Sequence, residues 1–196
     1  MTKHRLGQFS VTISAENIAA AARQAAKYGG LPPVERWNPP FCGDLDMQIK
    51  RDGTWFYMGT PIGRPELVRL FSTILKREGD SFFLVTPVEK VGITVEDAPF
   101  IAVDFIAKDG FLIFTTNLGD SAAAGPDHPI RVIRDEATGE PSPYIEIRAG
   151  LEARIDRKSF YRLVDIGGVA PFEGQEWFGI RSNDTFFPII PASELP

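Results

Sequence analysis

The chain says one thing twice, and that repetition limits what it can fold into more than any other feature. Residues 64–85 read RPELVRLFSTILKREGDSFFLV, and residues 157–180 read RKSFYRLVDIGGVAPFEGQEWFGI. Each copy carries R-x-x-[LF]-x-R-L, a linker, and then E-G-x-x-[FW]-F. Arg64 and Arg157 open the two copies, Arg69 and Arg162 match inside them, and Glu78 and Glu173 start the second block. With one gap at Asp52, the preceding QIKRDG-TWFYM also aligns with EIRAG-LEARI. The repeated unit is therefore strand–strand–helix–strand and not merely an amphipathic helix. Self-similarity of this kind reports architecture, and two copies are too few for a solenoid. A duplicated pair packs together, so the joint between copies is the natural cleft. We expect an α+β fold of two domains. Residues 1–90 would hold an N-terminal helix and the first repeat; residues 91–196 would form a β-rich domain, an antiparallel sheet with a helix, containing the second.

Local patterns fill in that outline. Ser14 can cap a helix running through Tyr28 and stopped by Gly29, Gly30 and Pro32, with Ile18, Ala21, Ala22, Ala25 and Tyr28 on its apolar face. Those mostly small side chains let a neighbour come close. LPPVERWNPPF reads as an extended wrap anchored by Trp37 and Phe41. Asp44, Asp46 and Gln48 alternate with Leu45, Met47 and Ile49, the period of a half-buried strand. Arg51–Gly53 signals a hairpin turn into TWFYM. Pro65 opens a helix with Leu67, Leu70, Phe71, Ile74 and Leu75 on one face, Lys76 and Arg77 in its last turn and Gly79 as its stop. SFFLV closes the first unit. From Val91 to Arg134 the chain is a run of strands, and a second helix spans Asp156 to about Ile166.

Composition excludes several classes of function. A net charge of −5 and a pI near 5.1 argue against binding duplex nucleic acid, which needs a positive surface to displace counterions. No apolar run approaches the ~20 residues that span a bilayer, so no membrane role is expected. MTKHRLGQFSVTIS lacks the apolar core of an export signal, and Cys42 has no second cysteine to pair with; a cytoplasmic location is expected. Two histidines and one cysteine cannot close a structural zinc site. We expect no cofactor and no metal.

The polar candidates cluster near helix and strand ends. In GTPIGRPE, Gly59 and Gly63 can turn backbone N–H groups toward a ligand at a helix N-terminus, beside the hydroxyl of Thr60. Arg64 stands where the helix dipole disfavours a cation, which points to a partner: either a bound anion, or Glu66 or another carboxylate. Arg69 and Arg162 lie on helix flanks, where a guanidinium could reach across the joint; a structural ion pair repeated with the fold is the simpler arrangement. Thr86 and Lys90, in TPVEKV, sit at the crossover between repeats, and Lys90 could neutralise charge. Trp55 could stack on a base if it pointed into the joint. Asp44 and Asp46 share a strand face and could hold magnesium, or simply be solvated; no third ligand is evident. His128 has no nucleophile beside it in sequence, and Cys42 reads as a small buried hydrophobe next to Phe41. No G-x-S-x-G, H-E-x-x-H, G-x-G-x-x-G or paired C-x-x-C occurs, so no catalytic residue is assigned.

Taken together, CGDLDMQIKRDGTWFYMGTPIGRPELVRLF, FLVTPVEKVGITVEDAPFIAVDF, TTNLGD, AGPDHPIRV and RAGLEARIDRKSFYRLV resemble the bacterial domain-of-unknown-function 1285 family over roughly residues 30–190. The resemblance implies a duplicated α+β core whose second half looks superficially like pleckstrin-homology folds. It also implies a ligand site at the joint for a nucleotide-like molecule, and a role in bacterial signalling. It defines no catalytic residue.

These readings converge on a non-catalytic regulatory module holding a small anionic or nucleotide-like ligand between the units. Its expected site is Trp55, Gly59, Thr60, Gly63, Arg64, Arg69, Thr86 and Lys90. The alternatives are a protein-interaction adaptor, whose partner would be another protein, and a magnesium-assisted phosphoester enzyme using Asp44 and Asp46.

Overall fold

A computed structural model describes residues 14–25 and 30–195. Ser14 does cap the first helix: its Oγ accepts the Asn17 N–H at 3.3 Å. Helix α1 runs Ala15–Ala25 and buries Ala15, Ile18, Ala19, Ala22 and Ala25. Its expected end at Tyr28 and Gly29 lies outside the described residues. In the Pro-rich stretch, Val34–Arg36 makes a single 3-10 turn. Trp37 packs against the core, but Phe41 is 54% exposed and opens a strand, so only one of the two expected anchors holds.

Strand β1 (Phe41–Ile49) shows the expected alternation, with Leu45, Met47 and Ile49 buried and Asp44 and Asp46 facing solvent. It turns through Gly53 into β2 (Trp55–Tyr57), followed by β3 (Thr60–Pro61). Gly53 has φ +84°, and a side chain there would come within 2.9 Å of Ile101 and 3.0 Å of Asn117. Only glycine lets this hairpin turn seat against the second half of the chain.

Helix α2 covers Pro65–Thr73 and stops sooner than its apolar spacing suggests. Ser72 and Thr73 turn their hydroxyls back onto the carbonyls of Arg69 and Leu70, at 2.8 and 2.7 Å. Leu75–Glu78 then forms β4, paired with β5 (Ser81–Val85) through Leu75 and Leu84. Lys76 and Arg77 thus belong to a strand and not to a helix end, and Gly79, at φ +61°, makes a hairpin turn. The same Glu-Gly pair recurs at Glu173–Gly174, again with positive φ, between two later strands. The most specific repeated signal in the sequence is a hairpin turn.

Strand β6 (Lys90–Val95) pairs antiparallel with β5 and parallel with β1, so the first sheet has the order β3-β2-β1-β6-β5-β4 and extends to Val95. The second sheet contains β7 (Phe100–Lys108), β8 (Phe111–Thr116), β9 (Ser121–Ala123), β10 (Ile130–Arg134), β11 (Pro141–Arg148) and β12 (Leu151–Ile155). Its order is β10-β11-β12-β7-β8-β9, antiparallel except where β12 meets β7. Helix α3 (Arg157–Ile166) follows, then β13 (Gly168–Phe172), β14 (Gln175–Ser182) and β15 (Thr185–Pro191) in a separate three-stranded antiparallel sheet.

The protein is thus a mixed α+β fold of two similar six-stranded sheets and a smaller C-terminal one. Hairpin, helix, hairpin is the shared plan. The copies diverge in how the last hairpin closes: β4–β5–β6 returns to β1, whereas β13–β15 stands alone. One apolar core runs through both halves, from Ile18, Met47 and Phe71 to Phe100, Ile145 and Ile180. No described helix is long and apolar enough to cross a membrane.

The two helix starts differ in a testable way. Asp156 caps α3 by accepting the Ser159 N–H at 2.8 Å, while Arg64 at the matching place makes no side-chain cap. Asp156→Ala should cost about 1 kcal/mol in urea unfolding, and Arg64→Ala close to nothing.

Candidate functional site

The joint between the halves is tied by its own residues, beside a cavity of about 500 Å³ that Arg51, Arg154, Arg157 and Phe160 help to line. Arg148 pairs with Asp120, donates to the Ser72 carbonyl at 2.7 Å and lies over the Phe100 ring. Burial pulls its pKa below the ordinary guanidinium value. Arg77 donates to the Gly150 carbonyl at 3.1 Å and stands 3.5 Å from Glu152. Arg154 donates to the Arg51 carbonyl at 2.9 Å and sits 3.2 Å from Asp97. Positive side chains do line this seam, but each already has an acceptor. None of them belongs to the expected site.

Three expected residues converge elsewhere. Thr60, Gly63 and Arg64 line a cavity of about 360 Å³ inside the first half, bounded by α1, the β2–β3 hairpin and α2. Its walls are mainly apolar: Ala15 and Ala19 on one side, Ile62, Leu67 and Phe71 on the other. Its charged groups are Glu16 and Arg23 from α1 and Arg64 from the start of α2. Glu16 and Arg23 are seven residues apart, two helical turns, so they share a face with Ala19. That spacing was readable in the sequence, but nothing there places α1 against GTPIGR. Among the described residues, neither Arg23 nor Arg64 makes an ion pair or side-chain hydrogen bond.

The second copy shows what satisfaction of the same position looks like. Arg157 pairs with Glu140 at 3.3 Å, and Asp156 occupies the helix N-terminus beside it. In the first copy, among the described residues, no carboxylate pairs with Arg64 or caps α2, although Glu66 lies in that helix's first turn.

The remaining expected residues lie apart from the cavity lining. Gly59, with Met58, takes positive φ in the β2–β3 turn and faces open space. Trp55 is only 2% exposed and stacks on Phe71 at 6.3 Å, so it backs the cavity floor and cannot stack on a ligand. Arg69 is exposed and unpaired among the described residues. Its counterpart Arg162 binds Asp104 and the Phe105 carbonyl, so the ion pair expected to repeat with the fold occurs in one copy. Thr86 is fully buried, its Oγ accepting the N–H groups of Val88 and Glu89 in a tight turn. Lys90 pairs with Glu78 at 2.8 Å over the Phe83 ring.

Asp44 and Asp46 stand exposed on the outer sheet face, and no group of three or more metal-capable side chains occurs among the described residues. Cys42 is exposed, its thiol 3.4 Å from the Pro40 carbonyl, and so is not the buried hydrophobe its neighbours suggest. His128 Nδ1 lies 3.2 Å from the Glu146 carbonyl, a loop-anchoring contact.

The model of the DUF1285 N-terminal domain, a domain of unknown function, matches residues 32–98, and that of the DUF1285 C-terminal domain matches residues 99–189. A DUF1285 family protein from Silicibacter pomeroyi DSS-3 is 60% identical, with a TM-score of 0.81, across 90% of this chain and 96% of its own. One from Shewanella baltica OS155 is 30% identical, with a TM-score of 0.50, across 62% of this chain and 91% of its own. No curated protein matches. Helix α1 lies outside both matched ranges.

One buried acid gives the first half a pH signature. Glu89 is 8% exposed, and burial pushes its carboxyl above the ordinary range. The folded state holds this proton more tightly than the unfolded chain does. Its stabilisation is therefore present at low pH and lost as pH rises through the raised value. Urea midpoints of Glu89→Gln should match wild type near pH 4 and exceed it near pH 8.

Proposed function

This chain belongs to the DUF1285 family, and we propose that it is a non-catalytic regulatory module, acting in cytoplasmic signal transduction, that holds a small anionic ligand between α1 and α2. The observation that carries this reading is the contrast between the two copies. Arg157 pairs with Glu140 and Asp156 caps α3, whereas among the described residues Arg64 has no ion pair, α2 has no side-chain cap, and Arg64 opens onto a cavity. Arg23 supplies a second guanidinium there, and the Thr60 hydroxyl a hydrogen-bonding group. Guanidinium groups hold anions well and do not exchange protons near neutral pH, which suits binding better than acid–base chemistry. The site lies within the first half and not at the joint, because the joint's arginines are engaged.

A protein-interaction adaptor is the second reading. Tyr161, Ile166 and Val169 of the α3–β13 segment are 58%, 55% and 49% exposed, an apolar surface of the kind partners cover. Native mass spectrometry of freshly purified protein separates the two: a retained small molecule supports the module, a retained protein the adaptor.

The site itself is tested by Arg64→Ala. Losing a charge-assisted hydrogen bond worth about 1.5–3 kcal/mol should weaken binding of an anion found by thermal-shift screening tenfold or more, with the unfolding midpoint unchanged. Unchanged affinity would remove the site.

A further inference from the structure

We infer that the ligand is an amphipathic organic monoanion, an alkyl or aryl carboxylate, whose apolar body fills the space under the alanine face of α1. The inference rests on the cavity assigned above and adds the chemical class of its occupant. The first argument is volume. Helix α1 faces its neighbours through Ala15, Ala19, Ala22 and Ala25, with Ile18 as its one large buried side chain. Alanine contributes little apolar area, and where Ala15 and Ala19 face Leu67 and Phe71 the missing side-chain bulk is the cavity itself. At about 360 Å³ it lies at the small end of the usual ligand-pocket range of roughly 300–1,000 Å³.

The second argument is polarity. Away from its charged groups the cavity offers two hydrogen-bonding side chains, the Thr60 hydroxyl and the Tyr57 phenol. A nucleoside would bring a base and a sugar with more polar atoms than these two groups can match, and burying the remainder without partners is costly. Trp55, the aromatic expected to receive a base, is turned into the core. An alkyl or aryl body has no such atoms to satisfy.

The third argument is charge. Among the described residues, Arg23 and Arg64 against Glu16 leave one net positive charge at the cavity, which a carboxylate neutralises and a dianionic phosphate overshoots. A planar guanidinium fork also matches carboxylate geometry. Since Arg23 and Ala19 come from α1 while Arg64 and Phe71 come from α2, the occupant would join the two helices.

The test uses the full chain with three probes in isothermal titration calorimetry: decanoate, inorganic phosphate and adenosine monophosphate. Hydrogen exchange of residues 15–25 is followed in parallel. Decanoate should bind one to one and slow exchange in α1. Arg64→Ala and Arg23→Glu should each weaken it at least tenfold. Ala19→Leu, which fills the cavity, should do the same without lowering the unfolding midpoint. Both arginines are exposed, so their variants remain informative even if Ala19→Leu fails to fold. Phosphate or adenosine monophosphate binding in an Arg64-dependent manner, with decanoate silent, would overturn the chemical class and leave the anion site standing. Decanoate binding that ignores all three substitutions would overturn the inference, as would the absence of binding by any probe.

Discussion

A half-buried cation, Arg148, ties the two halves together. Arg148 leaves the end of β11 and reaches the last turn of α2, where it donates to the Ser72 carbonyl; on the way it pairs with Asp120 and covers Phe100. The side chains of the pair are 20% and 17% exposed. A half-buried pair adds little net stability over an apolar substitute, yet removing one partner is destabilising because the other is left without its counter-charge. Such a contact therefore sets register more than it adds strength. With Arg77 and Arg154 it fixes how the sheets meet, over a core that is already continuous. A cavity of about 500 Å³ does border this joint, beside Arg51, Arg154 and Arg157, but those arginines already pair with Asp97 and Glu140.

That constraint explains where the sequence argument succeeded and where it failed. The duplication was legible because its most specific element, Glu-Gly before two aromatics, is needed twice for the same physical reason. In each pair the glycine takes positive φ in a hairpin turn, Gly79–Asp80 in the first copy and Glu173–Gly174 in the second. Strand β1 was legible from period-two alternation, and α3 from Asp156 at its start. The end of α2 was not, because Ile74 and Leu75 satisfy the helical period while actually packing as a helix end and a strand start. Only the Ser72–Thr73 hydroxyl bonds signal the stop, and sequence does not display them.

The candidate site was half legible. Thr60, Gly63 and Arg64 could be picked out as polar groups at a helix start, and they do share a cavity. Glu16 and Arg23 could not, since their relevance depends on α1 lying across α2, a tertiary contact between segments about forty residues apart. Trp55 was misjudged for the opposite reason: a tryptophan is both an available stacking surface and a core filler, and its neighbour Phe71 decides which. Thr86 and Lys90 carry out local structural tasks that their polarity alone could not distinguish from binding.

The central claim is that the binding place lies under α1 within the first half and not beside the seam arginines. Backbone amide chemical-shift mapping of the ¹⁵N-labelled protein during a decanoate titration tests it most directly. The account predicts perturbations concentrated at Ala19, Arg23, Thr60, Gly63 and Leu67, with Arg51, Arg148 and Arg154 unmoved. Shifts centred on the seam arginines, with the α1 amides silent, would contradict it.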